Sequence, residues 1–281
     1  MIKTIRFVKD RFSLLPKLKQ LNIEKCGLDE DGDPFIKLKD GYIFYGLSPR
    51  VKDRKFYNLL SKDIKSKLPF ECFRVAQDIV IRFIEGGLKY GGPKKNSIYE
   101  VKEGDTVAEM GAYMGYYSMK MAQVVGENGR CIAIEPMPNN LRLLYKNMKQ
   151  NSLNNCTVVP CGVWNKKDEL DFFRKEGDNQ SGSALMKGTN KEQLLIPVNS
   201  LDNILKENNV SHCNQMVIQL NGVEIEALEG LNNIIPDNLS IAARYDREGV
   251  DTMSHIKKQL KEKGYSSKVL SGRYIFATQA K

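Results

Sequence analysis

Thr106-Val107-Ala108-Glu109-Met110-Gly111-Ala112-Tyr113-Met114-Gly115 reads as an apolar strand that ends in a carboxylate and runs into a turn bracketed by glycines. Downstream, Ile132-Ala133-Ile134-Glu135-Pro136 repeats the pattern, a second apolar strand ending in a second carboxylate. Glycine lets the backbone turn sharply and approach a ligand closely, and the helix that follows offers free N–H groups at its amino terminus. A carboxylate at the end of the second strand is placed to accept both hydroxyls of a ribose. The two stretches together describe a nucleoside-binding crevice.

Working outward, strands and helices alternate from about residue 99 onward. Thr106 to Met110 is a strand followed by a helix over Gly115 to Val125, and Cys131 to Glu135 is the next strand. Pro138 suits a first helical turn, and Leu141, Leu144, Tyr145 and Met148 then form an i, i+3, i+4, i+7 stripe. Thr157 to Pro160, Met216 to Leu220 and Ser240 to Arg244 read as further strands, with a helix over Glu224 to Leu231. Leu170 to Phe173 and Leu194 to Val198 flank the polar segment Gly177-Asp178-Asn179-Gln180-Ser181-Gly182-Ser183. A last helix ends at Gly264, and Ser266 to Leu270 with Tyr274 to Thr278 closes as a hairpin through Ser271-Gly272. This alternation with a terminal antiparallel hairpin predicts a doubly wound α/β sheet.

Residues 1–98 have a different, basic pattern and form an expected amino-terminal extension to a ligand-binding domain over 99–281. Ile2, Ile5, Phe7, Phe12, Leu15 and Leu18 suggest an amphipathic helix, broken near Pro16, that either packs on its own domain or lies on an anionic membrane surface. Phe35 to Tyr45 alternates around Asp40-Gly41, a hairpin signal. Phe73, Ala76, Ile79, Val80 and Phe83 share one helical face, and the glycine-rich run Gly86 to Pro93 marks the boundary.

Bulk properties narrow the classes. The chain has 281 residues, 41% hydrophobic and 27% charged, without an apolar run long enough to span a membrane and without a signal-peptide pattern at its start. Its six cysteines and two histidines form no metal-ligand spacing, so reduced thiols in a cytoplasmic protein and no metal site are expected. The net charge of +9 is spread among interleaved acids and lacks an aromatic-basic signature, so nucleic acid is not the expected partner.

The glycine loop is E-x-G-x-x-x-G. It has neither the extra glycine that admits a pyrophosphate nor a following GK[ST], so the loop suits a nucleoside without phosphates, of which S-adenosylmethionine is the commonest. On Glu109 to Ser118, Ala133 to Leu141, Asn147 with Asn151, Val198 to Asp202 and Ile218 to Gly230, the sequence resembles the FkbM family of class I S-adenosylmethionine-dependent methyltransferases over roughly residues 99–278. The resemblance implies a Rossmann-like, mostly parallel seven-stranded sheet and methylation of a hydroxyl on a sugar, glycan or other small molecule. It implies cofactor contacts from Glu109, Gly111, Ala112, Gly115 and Glu135, a pocket lined by Tyr113, Pro136 and Met137, and Cys161-Gly162 near the adenine.

The chain departs from the family in its fourth-strand motif. Where the family usually carries I-D-V-E-G-x-E, this sequence has Ile218-Gln219-Leu220-Asn221-Gly222-Val223-Glu224, two amides in place of two acids. An amide orients a hydroxyl by donating and accepting but cannot take its proton. Gln219 and Asn221 therefore stand as orienting residues, and Glu224 or Asp246 as replacement bases, with Arg244 available to hold an anionic group. Helix capping and surface ion pairing are the competing readings for these residues. His212, His255 and Trp164 are weaker candidates. A fold that has lost the reaction and serves as a scaffold or regulatory subunit is the alternative function.

Overall fold

The computed structural model describes residues 14–84, 99–175, 191–243, 249, 251–270 and 274–280. Most of the basic first helix, the Gly86–Pro93 run, the Gly177–Ser183 segment, residues 244–248 with Arg244 and Asp246, and the Ser271-Gly272 turn lie outside the described residues. The chain divides into two compact units, 1–86 with 149–152, and 87–148 with 153–281.

In the first unit, α1 (Leu15–Leu18) carries Pro16 in its first turn. The proline opens this helix rather than breaking it, because its fixed φ suits an initial turn whose N–H groups have no partner. A three-stranded antiparallel sheet follows, β1 (Ile23–Leu28), β2 (Pro34–Leu38) and β3 (Ile43–Tyr45) in that order. The β2–β3 turn is the Asp40-Gly41 hairpin, with Gly41 at φ 96°. Asn151 lies in this unit and pairs with the backbone of β3 twice, donating from Nδ2 to the Ile43 carbonyl and accepting the Ile43 N–H. Short helices α2 (Arg54–Tyr57) and α3 (Lys62–Lys65) lead to α4 (Phe73–Asp78), which continues as a π-helical turn over Ile79–Ile84. The expected face of Phe73, Ala76, Ile79, Val80 and Phe83 is buried, and Phe83 meets Phe44 edge-on at 4.8 Å.

The second unit contains β4 (Thr106–Met110), α5 (Tyr116–Val125), β5 (Arg130–Ile134), α6 (Pro138–Gln150) and β6 (Cys156–Val159). Next come β7 (Gly162–Trp164), β8 (Asp168–Lys175), β9 (Lys191–Ser200) and α7 (Leu201–Glu207). The chain closes with β10 (Gln215–Ile218), α8 (Glu224–Glu229), β11 (Asn238–Ala242), α9 (Thr252–Glu262), β12 (Tyr265–Leu270) and β13 (Tyr274–Gln279). Seven of these strands form one sheet in the order β12-β13-β11-β10-β4-β5-β6, with β13 antiparallel to both neighbours and the remaining pairs parallel. This is the doubly wound, mostly parallel seven-stranded sheet with a terminal antiparallel hairpin that the sequence predicts. A smaller sheet, β7-β9-β8, stands beside it.

Strands buried on both faces read as continuous apolar runs, and β4, β5 and β10 do so. Ala108, Met110, Ile132, Ile134, Met216 and Ile218 face one core with Leu205, Leu228 and Leu260, while Val107, Cys131 and Val217 face the other with Tyr117, Met121 and Val125. The stripe expected on α6 is displaced. Leu143, Leu144 and Met148 are buried together with Asn140 and Asn147, whereas Tyr145 is 48% exposed. Two buried amides on that face make its polarity deceptive.

Candidate active site

The carboxyl ends of β4, β5 and β10 meet at one edge of the large sheet, where ligands bind in open α/β folds. After Met110 the chain turns back on itself. The N–H groups of Gly111 and Ala112 both reach the Ile134 carbonyl at 2.9 Å, and Gly115 N–H closes on the Ala112 carbonyl at 2.8 Å. Gly111, Tyr113 and Gly115 all adopt left-handed backbone, at φ 82°, 59° and 81°. A Cβ on Gly111 would stand 2.2 Å from the Gln219 carbonyl oxygen, so the β4 turn and the β10 end fit only because that side chain is missing.

Glu135 governs this turn. Its buried carboxylate accepts the Tyr113 N–H at 2.8 Å on one oxygen, and the Met137 N–H at 3.0 Å and the Asn140 amide at 3.1 Å on the other. Asn147 holds the far side of the loop, donating to the Met114 carbonyl at 2.8 Å. Glu109 points to the helix, where the Ser118 hydroxyl donates to it at 2.5 Å. Asn140, Asn147 and Ser118 brace the turn, a role that sequence reasoning does not assign to them although it draws on the stretches that hold them. Their signal was polarity at buried helix positions, which an apolar stripe does not register.

The remaining candidates sort themselves by place. Met137 is buried in a small cluster with Phe172, Ile196 and Val198, and Trp164 packs on the same cluster from β7. Pro136 is half-buried. Cys161 and Gly162 lead into β7, and burial, reinforced by the Glu207 carboxylate, pushes the Cys161 thiol up to about 11. Gln219 and Asn221 are half-buried beyond β10, with Asn221 at φ 56°. Glu224, wholly buried, gives one oxygen to the Leu220 N–H at 3.1 Å and the other to the Gly222 N–H at 3.0 Å. It clamps the loop that carries the two amides. His212 sits at the other end of β10, 3.2 Å from Asp237, and His255 is exposed on α9.

The sequence profile of the methyltransferase FkbM domain matches residues 109–267, more than half of the chain. The chain belongs to the FkbM methyltransferase family. The family's S-adenosylmethionine cofactor suits the acceptors at the end of β5. A carboxylate at the end of β5 stands beside a buried amide oxygen, Asn140 Oδ1, which has no partner of its own. Acceptors of this kind match a ribose diol, whose hydroxyls donate.

Solved structures similar to this chain include the FkbM methyltransferase of Methylobacillus flagellatus, at 17% identity over 64% of this chain and 45% of that one, with a TM-score of 0.46. Fibrillarin of Aeropyrum pernix, crystallised with natively bound S-adenosylmethionine, is similar at 12% identity over 92% and 98% of the two chains, with a TM-score of 0.45. Among curated proteins, the protein-L-isoaspartate O-methyltransferase of Methanococcoides burtonii is 34% identical over 70 residues, 24% of this chain and 34% of that protein. That of Methanococcus aeolicus is 36% identical over 63 residues. The similarity thus spans about a third of the length of these curated relatives.

Proposed function

We propose that this FkbM-family chain transfers the methyl group of S-adenosylmethionine to an oxygen of a sugar, a glycan or another small hydroxyl-bearing molecule. The observation that carries this reading is the juxtaposition of the Gly111–Gly115 turn with the β10 loop bearing Gln219 and Asn221. When bound, S-adenosylmethionine supplies an electrophilic sulfonium methyl group. Glu135 and the left-handed turn seat the nucleoside, with Glu109, Ala112, Tyr113, Pro136 and Met137 around it and Cys161-Gly162 toward the adenine. Gln219 and Asn221 orient the acceptor hydroxyl by donating and accepting hydrogen bonds. Glu224 acts through them by holding their loop through the Leu220 and Gly222 N–H groups. Catalysis then comes from proximity and alignment of the attacking oxygen.

Transfer of label from methyl-labelled S-adenosylmethionine to a panel of sugars tests the proposal; labelled product supports it. The two amides at acid positions favour a second reading, a binding subunit that keeps the cofactor loop without turnover. Cofactor binding with no labelled product across the panel favours that reading, and turnover gained by Gln219→Asp with Asn221→Glu identifies a degenerated enzyme.

A further inference from the structure

Two cysteines that the reaction does not use face each other at the amino ends of β5 and β6. Cys131 and Cys156 are direct Cα partners in the parallel ladder, and both side chains join the core of Val107, Tyr117 and Val125. Adjacent strands lie about 4.8 Å apart, so paired Cα atoms fall inside the window of about 4.4–6.8 Å that a disulfide spans. Both are free thiols in contact with one another, and that contact is the first cause that raises Cys131, ahead of burial. Cys131 is wholly buried, whereas Cys156 is half-buried and is the sulfur a small solute reaches first. The pair is also tied to the cofactor turn. The Cys131 thiol donates to the Ser118 carbonyl on α5 at 3.6 Å, and the Ser118 hydroxyl donates in turn to Glu109. Asn155, next to Cys156, fastens the start of β6 to the same helix by donating to the Ala122 and Gly126 carbonyls.

We propose that Cys131 and Cys156 close into a reversible disulfide when the chain meets hydrogen peroxide, and that the closed bond weakens cofactor binding. The second half rests on the cofactor seat proposed above. Cys156, as thiolate, attacks one peroxide oxygen; the S–O bond forms, the O–O bond breaks, and the released hydroxide takes up the thiol's proton as water. The sulfur is thereby oxidised to a sulfenic acid and the peroxide reduced. Cys131 then surrenders its proton and attacks the sulfenic sulfur. The S–S bond forms, the S–O bond breaks, and the departing hydroxide takes the Cys131 proton as a second water. Closure draws the two sulfurs to about 2.05 Å and removes the proton that Cys131 gives to Ser118. The first turn of α5, which braces Glu109, thus loses its tie to β5, the strand that delivers Glu135.

Peptide mapping of the full chain, with calorimetric titration of S-adenosylhomocysteine, tests this before peroxide, after peroxide and after reduction by a phosphine. A cross-linked Cys131–Cys156 peptide is expected in the oxidised chain, with cofactor-product binding at least fivefold weaker and the affinity restored by reduction. Cys156→Ser is expected to bind like the unaltered chain and to keep its affinity through oxidation. Cys131→Val, which keeps the site apolar, is a second variant with the same expectation. Absence of the cross-linked peptide, or linkage with unchanged affinity, would overturn the proposal. So would an equal loss in Cys156→Ser, which would assign the effect to another thiol such as Cys161. Failure of the reduced chain to bind at all would strike the cofactor seat, and the cross-linked peptide would still read the thiol pair by itself.

Discussion

Gly111 and Glu224 fix the site from opposite sides of the same contact. At Gly111 a side chain would meet both a left-handed φ of 82° and the Gln219 carbonyl oxygen 2.2 Å from its Cβ. Backbone strain at such a position and overpacking each cost of order 1–3 kcal/mol. Gly111→Ala is accordingly expected to lower unfolding stability by about 3 kcal/mol, read from its urea midpoint, and to weaken S-adenosylhomocysteine binding. Glu224→Gln replaces one accepting oxygen with a donor that faces a backbone N–H. The loss is expected at about 1–3 kcal/mol, with the pH dependence of turnover unchanged. A pH profile that loses its acidic limb in this variant would make Glu224 a proton acceptor instead of a loop clamp.

At the scale of elements, α5 and α6 are fastened to the glycine turn by polar groups inside an apolar interface. Ser118 on α5 donates to Glu109, and Asn140 and Asn147 on α6 serve Glu135 and Met114. A hydrogen bond to a buried charge is worth about 1.5–3 kcal/mol. A double-mutant cycle with Ser118→Ala and Glu109→Gln is therefore expected to give a coupling of about 2 kcal/mol; additivity would separate the helix from the strand end. These same contacts set the limit of what the sequence discloses. The strands β5 and β10, and β4 up to Glu109, were legible because burial on both faces leaves nearly unbroken apolar runs, whereas the expected β11 starts two residues late because the buried Asn238 and Ser240 interrupt its run. The α6 stripe came out displaced because Asn140 and Asn147 are polar where the pattern asks for apolar residues, while Leu141 is only half-buried and Tyr145 is exposed. β1 escaped notice because Ile23-Glu24-Lys25-Cys26-Gly27-Leu28 lies at a sheet edge and lacks alternation. β7 is three residues long and carries no pattern of its own. The ends of the strands announced the cofactor loop through their glycines and acids, whereas partners such as Ser118 depend on a contact the chain spacing does not encode.

For the molecule as a whole, the six cysteines remain free thiols and several are deeply buried. Burial pushes Cys72 and Cys213 up to about 12, and Cys161 up to about 11. Cys131 is raised as well, first by its contact with Cys156 and then by burial. In the unfolded chain these thiols ionise near their ordinary value of 9, while the folded chain keeps them protonated. The folded state then holds more protons, so stability is fully present below pH 9 and falls as pH rises from 9 toward 11. Lys263, lowered by desolvation, opposes this in the same region as a single group. The urea midpoint is expected to drop steeply above pH 9, by up to about 1.4 kcal/mol per pH unit for each thiol. A flat profile to pH 11 would show that the thiols ionise equally in both states.

Calorimetric titration of S-adenosylhomocysteine into the intact chain, and into Glu135→Ala and Glu135→Gln variants verified as folded, tests the central claim most directly. An affinity of about micromolar Kd is expected for the unaltered chain, and binding at least tenfold weaker for both variants. Equal affinity in the variants would remove Glu135 from the nucleoside site, and absence of binding by the folded, unaltered chain would contradict the account of the β4–β5 crevice.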